Sequence, residues 1–156
     1  MRAADRDQAP TREAAAQFRA LLERFPSSEM APDARVRLAE AEGRLAKQLI
    51  EIADFYYSQH DYHAAARRYR LALTSYPSHP DRARTMVMLG VSLSRLRLHG
   101  EAEGTLRRAL ELGPDEEVRD RAEFELDQLA HLPLYGPRVL PKSCITDPNP
   151  SCPRIE

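Results

Sequence analysis

The chain contains 156 residues, of which 42% are hydrophobic and 30% are charged, and it has no Trp and only six Gly. This mixture is typical of one Ala- and Arg-rich helical domain with a modest core, and it is unlike the composition of a disordered chain. Twenty-three basic and twenty-four acidic side chains give a net charge of −1, so the protein lacks the basic field with which proteins attract nucleic acid or anionic lipid. We therefore expect no nucleic-acid partner.

The N-terminus reads MRAADRDQAP, which is polar and lacks the apolar core of a secretory signal. The sequence also has no apolar run of about 18 residues that could span a bilayer. We expect neither a signal peptide nor a lipidated Cys in this chain. Any membrane contact would therefore need a lipid anchor that the sequence does not contain.

Helix-terminating residues predict six helices in chain order. Pro32, Pro80 and Pro114 each follow a loop and suit a first helical turn, where a missing N–H is harmless. Gly100 and Gly113 suit positions between helices, as C-terminal caps. The expected helices cover residues 10–25, 32–59, 62–76, 80–98, 100–112 and 115–131.

The composition changes after residue 132, because six of the last 25 residues are Pro. Such a segment cannot continue a helix and is expected to run extended or in turns. We divide the chain into a helical repeat domain, residues 1–132, and a Pro-rich extended tail, residues 133–156. The tail contains Cys144 and Cys152, for which a disulfide, two free thiols and a two-thiol metal site all stay open.

An internal repeat organises the helices. The tetratricopeptide pattern is a unit of about 34 residues that forms two helices. The first helix requires large and small residues at fixed positions. The second requires Ala, a bulky residue, another Ala and Pro, in that order. Two segments fill every position, and their small residues, Ala53 and Gly90, are 37 residues apart. We therefore predict an all-α, right-handed tetratricopeptide solenoid of antiparallel helix pairs. The matching residues are Ile52, Ala53, Tyr56, Ala65, Tyr69, Ala72 and Pro77, then Leu89, Gly90, Leu93, Ala102, Leu106, Ala109 and Pro114.

Only the second half of a further repeat is found upstream of these two. Its first-helix positions would lie before the first residue, so its one helix lacks the usual partner. We expect Phe18, Leu21 and Leu22 to bury against the long helix that follows Pro32 instead. The positions of this half repeat are filled by Ala14, Phe18, Leu21 and Pro26.

Aromatic residues cluster in residues 55–77, which hold six of the ten aromatic residues of the chain. Tyr56 and Tyr69 fill repeat positions that require a bulky side chain opposite a small one such as Ala53, so we assign them to packing inside a helix pair. Tyr57 falls one residue past the packing position, on the side that lines the concave groove of such solenoids. We expect Tyr57 to contact a partner and not the core.

The groove side of the first helix recurs in both repeats as a stripe at spacings of three and four residues. Exposed Ile, Val and Tyr among charged residues favour a groove that binds a peptide or protein. The alternative is a side that the long flanking helix covers. The candidate binding residues are Lys47, Ile50, Asp54, Tyr57 and Ser58, then Arg84, Val87, Val91, Ser94 and Arg95.

Sequence motifs of catalysis and of phosphate binding are absent. His60 and His63 straddle a turn, and no Cys or carboxylate stands at a metal-ligand spacing from them, which argues against zinc. We therefore predict no enzyme activity, no cofactor and no metal site in the helical domain.

Four stretches in this order resemble the BamD family of outer-membrane β-barrel assembly lipoproteins, which consist of tetratricopeptide repeats. The stretches are DRDQAPT, FPSSEMAPDAR, LAKQLIEIADFYY and the YP that ends the next hairpin. The resemblance covers roughly residues 5–112 and lacks the leading one and a half repeats of the family. The chain is therefore expected to be an N-terminally incomplete relative.

The resemblance implies a non-catalytic scaffold on the periplasmic side of the outer membrane, in the machinery that inserts β-barrel proteins. The partners that it implies are the periplasmic domains of the barrel insertase, accessory lipoproteins and unfolded barrel precursors. The alternative function is that of another periplasmic tetratricopeptide adaptor, associated with the cell envelope or with division, which binds a different protein.

Overall fold

A computed structural model describes residues 8–131 and contains six α-helices, with no strand in that range. The helices are α1 (Ala9–Arg24), α2 (Ala31–Ser58), α3 (Tyr62–Ser75), α4 (Arg82–Arg95), α5 (His99–Glu111) and α6 (Glu116–Ala130). Each predicted helix is present, and no boundary differs from the expected one by more than three residues. The prediction of an all-helical, tetratricopeptide-like stack is confirmed. The Pro-rich tail, with Cys144 and Cys152, lies outside the described residues.

The helices stack in chain order, because each one packs against the next along the chain. Helix α4 packs against α6 as well as against α3 and α5, which makes it the most central helix. Three residues join α2 to α3, and three join α4 to α5, as expected for tight helix pairs. The carboxylates of Asp61 and Asp115 cap α3 and α6, since they accept hydrogen bonds from the backbone N–H of Ala64 at 3.0 Å and of Val118 at 2.9 Å.

Small residues let the two helices of each pair approach closely. In the first pair, Ala53 and Tyr69 are fully buried in one cluster. In the second pair, Gly90 lies directly against Leu106, because a Cβ atom placed on Gly90 would be 2.6 Å from Leu106 Cγ. The packing role predicted for Tyr69 is confirmed, and Tyr56 is half-buried and packs against the same cluster.

The turns inside the two helix pairs share one conformation. His60 and Arg97, which are 37 residues apart like the repeats themselves, have φ angles of 61° and 62°. In each turn the N–H that follows donates at 3.0 Å to a carbonyl five residues earlier, that of Tyr56 or of Leu93. A residue in the left-handed conformation at this place ends the helix, and it lets the next N–H donate a hydrogen bond to one of the last carbonyls of the helix. The two repeats therefore agree in their backbone as well as in their side-chain pattern.

Helix α1 packs on α2 along one side only. Ala15 is fully buried there, in a cluster with Leu45. The expected burial of Phe18, Leu21 and Leu22 is wrong in degree, since all three side chains stay partly exposed. Phe18 and Leu21 lie three and six residues after Ala15. At 100° per residue, their side chains are rotated about the helix axis by about 60° and 120° from that of Ala15, so they do not point in the same direction.

We predict opposite effects of adding a methyl group at two helical glycines. Gly90→Ala should lower the free energy of unfolding by about 1–3 kcal/mol, because the new Cβ would overlap the buried Leu106 side chain. Gly104→Ala should raise it by about 0.5–1 kcal/mol, because Ala favours the helix and nothing lies within 4 Å of the new Cβ. Urea denaturation measures both changes. Equal effects would contradict the close approach of α4 and α5.

Candidate functional site

The predicted binding stripe divides into buried apolar residues and exposed polar ones. The sequence predicts Ile50, Val87 and Val91 on an open surface, but only 4%, 2% and 0% of their surfaces are exposed. Their assignment to an open groove is therefore wrong. Ile50 lies in a buried cluster with Leu89 and Leu93 of α4, so it belongs to the core and not to an open surface.

Helix α6 covers the two valines. Val87 and Val91 share a buried cluster with Ala122 of α6, and the partly buried Val118 and Leu129 pack against the same cluster. The alternative interpretation, a covered side, is thus correct for this part of the stripe. The covering helix is the C-terminal one and not the long α2.

A polar contact of three residues joins α2, α3 and α4 along the stripe. Asp54 Oδ2 lies 3.4 Å from Arg84 Nη2, and Asp54 Oδ1 accepts a 2.5 Å hydrogen bond from the Tyr69 hydroxyl. Burial of the ring, followed by the bond to Asp54, raises the pKa of Tyr69, so the phenol stays protonated and donates. Asp54 is thereby held in place, and the half-exposed Arg84 presents further N–H donors to solvent.

A second polar contact joins α4 to α6. Glu125 is 1% exposed, and its Oε1 lies 3.5 Å from Arg95 Nη2 and 3.4 Å from Arg121 Nη2. Its Oε2 has no hydrogen-bond partner within residues 8–131. The two guanidinium groups therefore offset the cost of burying the carboxylate. Sequence reasoning missed Glu125, and the only signal for it is the spacing of four residues from Arg121 on one helix.

Tyr57 belongs to the edge of the core as much as to the surface. It is half-buried, packs against both main clusters, and meets Tyr62 edge to face at a ring distance of 5.4 Å. Seven of the ten predicted residues remain at least partly exposed, and six of them are polar or charged. We call these seven the polar stripe: Lys47, Asp54, Tyr57, Ser58, Arg84, Ser94 and Arg95.

A cleft of about 380 Å³ adjoins the polar stripe at Arg84. It lies between the start of α4, the end of α5 and the start of α6. Leu112 and Val118 contribute apolar surface, while Asp81 and Asp115 add charge opposite to that of Arg84. The cleft therefore suits a short protein segment that carries apolar side chains next to charged ones.

The exposed side chains of this region are suited to binding by hydrogen bonds, ion pairs and apolar contact. In the part of the chain that the structure describes, no three His, Cys, Asp or Glu side chains are close enough together to hold a metal ion. Among the same residues, no helix is both long enough and apolar enough to cross a membrane.

The chain matches a known protein family over more than half of its length. Residues 1–107 match the model of the YfiO family, described as outer membrane lipoprotein. The chain belongs to the YfiO family. The match includes α1 to α4 and most of α5, and it stops before α6. The cleft therefore combines family elements with a helix beyond the matched region.

A relative of this YfiO-family protein is the outer membrane protein assembly factor BamD of Vibrio cholerae serotype O1. The two chains are 38% identical over 73 residues, which is 47% of this chain and 30% of the relative. The match thus spans less than one third of the length of that relative. The resemblance to the BamD family, which the four sequence stretches predict, is confirmed.

We predict that the arginines beside Glu125 matter more for stability than the carboxylate itself. Removing both, in Arg95→Ala with Arg121→Ala, should lower the free energy of unfolding by about 3 kcal/mol or more, because a buried charge loses its partners. Glu125→Met should cost no more than about 1 kcal/mol, because the half-exposed arginines can turn to water. Urea denaturation compares the two. A larger loss in Glu125→Met would contradict this account.

Proposed function

We propose that this YfiO-family protein is a non-catalytic scaffold in the assembly of outer membrane proteins, acting on the periplasmic side of the outer membrane. The family description and the name of the Vibrio relative, an assembly factor, support this function. Its partners are proteins: the periplasmic domains of the barrel insertase, accessory lipoproteins and unfolded barrel precursors. They bind at the polar stripe and at the adjoining cleft.

The position of Arg84 is the observation that most supports a binding site here. Arg84 pairs with Asp54 of α2 and also lines the cleft in front of α6, so it lies where three helices of the stack meet. Leu112, which lines the same cleft, exposes 45% of its surface. Arg is one of the residue types, with Trp and Tyr, that most often dominate the binding energy of a protein interface.

The hydrogen bonding around Asp54 favours binding as well. Because buried Tyr69 donates to Asp54, the carboxylate that pairs with Arg84 is already oriented before a partner arrives. A side chain that is held in its bound orientation loses less conformational entropy on association. The polar stripe is therefore a preformed surface.

We predict that a double variant in the cleft weakens partner binding. Arg84→Ala with Leu112→Ser should reduce affinity for the periplasmic domain of the insertase, or for a peptide from a barrel strand, by about ten-fold or more. The matched control is Arg70→Ala with Leu71→Ser. Arg70 also pairs with a carboxylate two helices away in the stack, that of Glu101, and Leu71 is 43% exposed.

The control changes the same residue types at similar exposure on α3, so it reports losses that are not specific to the cleft. Isothermal titration calorimetry with each partner gives the affinities, and circular dichroism gives the folded state. We expect the control to bind within about two-fold of the parent. Equal affinity of the two double variants, whether high or low, would contradict the assignment of the cleft.

A further inference from the structure

The segment that joins α3 to α4 buries a histidine. We call residues 76–81, between the end of α3 and the start of α4, the α3–α4 connection. His79 exposes only 5% of its surface, although its neighbours Ser78 and Pro80 are exposed. The residue belongs neither to the polar stripe nor to the lining of the cleft. Burial of this ring therefore serves neither of them.

Neither ring nitrogen of His79 has a hydrogen-bond partner. Nδ1 and Nε2 are both shielded from solvent, and no donor or acceptor within residues 8–131 bonds to either of them. A neutral imidazole loses its hydrogen bonds to water in such a site, but it carries no charge. A protonated ring would be a buried cation with two unsatisfied N–H donors, which costs far more. The site therefore favours the neutral ring.

The α3–α4 connection contacts α2 on both sides of His79 in the sequence. Before it, Tyr76 packs against the buried cluster between α1 and α2 that contains Leu45. After it, Pro80 lies beside α2, because a Cβ atom placed on Gly43 would be 3.9 Å from Pro80 Cδ. A change in the position of the buried ring therefore changes how the connection lies against α2.

The charges around the α3–α4 connection do not offset a proton on His79. Burial lowers the pKa of His79, the carboxylate of Asp81 raises it by less, and Arg82 lowers it further. Glu42 of α2 is already paired with Arg19 of α1 at 2.6 Å. None of the charged residues of the connection and of the helices beside it bonds to the ring: Asp81, Arg82 and Arg84, Glu40, Glu42 and Lys47 on α2, and Arg19 on α1.

We propose that His79 is an acid-sensitive switch: a proton on the ring drives it out of its buried site into water and releases the α3–α4 connection from α2. Release displaces Pro80, Asp81 and Arg82, which line one side of the cleft. With a neutral ring, the connection stays packed and the cleft keeps its shape. The switch is independent of the proposed function, because it operates in the chain without a partner.

Acid should destabilise the parent chain more than the variant His79→Leu, which has no imidazole to protonate. Because the pKa of His79 in the folded chain lies below the ordinary 6.5, the neutral ring's contribution to stability is complete above that pH and is lost as the pH falls below it. From about pH 7.5 to about pH 5, the unfolding equilibrium constant of the parent should rise at least about three-fold more than that of His79→Leu. The ceiling is about 30-fold, the ratio of protonated to neutral histidine in an unfolded chain at pH 5.

His63→Leu is the matched control. It removes an imidazole from the exposed surface of α3, where water solvates the ring in the folded and the unfolded chain alike. The control should keep the pH dependence of the parent within about two-fold. Urea denaturation at both pH values gives the equilibrium constants of the three proteins.

Hydrogen exchange locates the change in the α3–α4 connection. The backbone N–H of His79 donates to the Tyr76 carbonyl at 3.2 Å, and that of Arg82 donates to the His79 carbonyl at 3.2 Å. We would correct the exchange rates of these two amides for the intrinsic effect of pH. Between the two pH values, their protection should fall by about three-fold or more in the parent and stay within about two-fold in His79→Leu.

The proposal is overturned if the parent and His79→Leu share one pH dependence of unfolding, or if the two amides keep their protection in acid. Should His79→Leu fail to fold, a titration of the parent followed by nuclear magnetic resonance decides together with the exchange rates. The ring of His79 should then stay neutral to a pH below 6.5. A ring that takes up its proton at or above 6.5, with both amides still protected, would contradict the switch.

Discussion

Contact between a small residue on one helix and a bulky residue on the next determines how the helices of this protein stack. At Gly90, Leu106 packs against the helix backbone, and Ala53 gives Tyr69 comparable room beside α2. Protein interiors are closely packed, so these contacts fix the distance between helices and, with it, the direction of the side chains on their outer sides. The polar stripe and the cleft therefore take their geometry from this packing.

Polar contacts add selectivity to that packing. Asp54 accepts a hydrogen bond from buried Tyr69 and pairs with Arg84, while Arg95 pairs with the buried Glu125. Such a surface favours partners with matching charges and disfavours those that leave a charge unpaired. A surface of this kind agrees with the scaffold role that we propose for the chain.

Most of the fold can be predicted from the sequence, because the spacing of small and bulky residues is a local signal that places Tyr69 and Leu106 in the core. The candidate site is only partly predictable. Burial of Val87 depends on α6, whose sequence does not follow the repeat pattern. Glu125 is buried although Glu is almost never fully buried unless it is paired. His79 is buried as well, and burial lowers the pKa of His79. These placements depend on contacts between distant segments, which residue type and spacing do not reveal.

The side chain of Tyr69 gives the most direct test of the claim that small and bulky residues hold the stack together. Urea denaturation of Tyr69→Ala should show a loss of about 3–5 kcal/mol in the free energy of unfolding, because a fully buried ring is removed. Tyr69→Phe keeps the ring and removes only the hydrogen bond to Asp54, and it should cost about 1 kcal/mol. If Tyr69→Ala costs no more than Tyr69→Phe, ring packing does not stabilise the repeat and the account is contradicted.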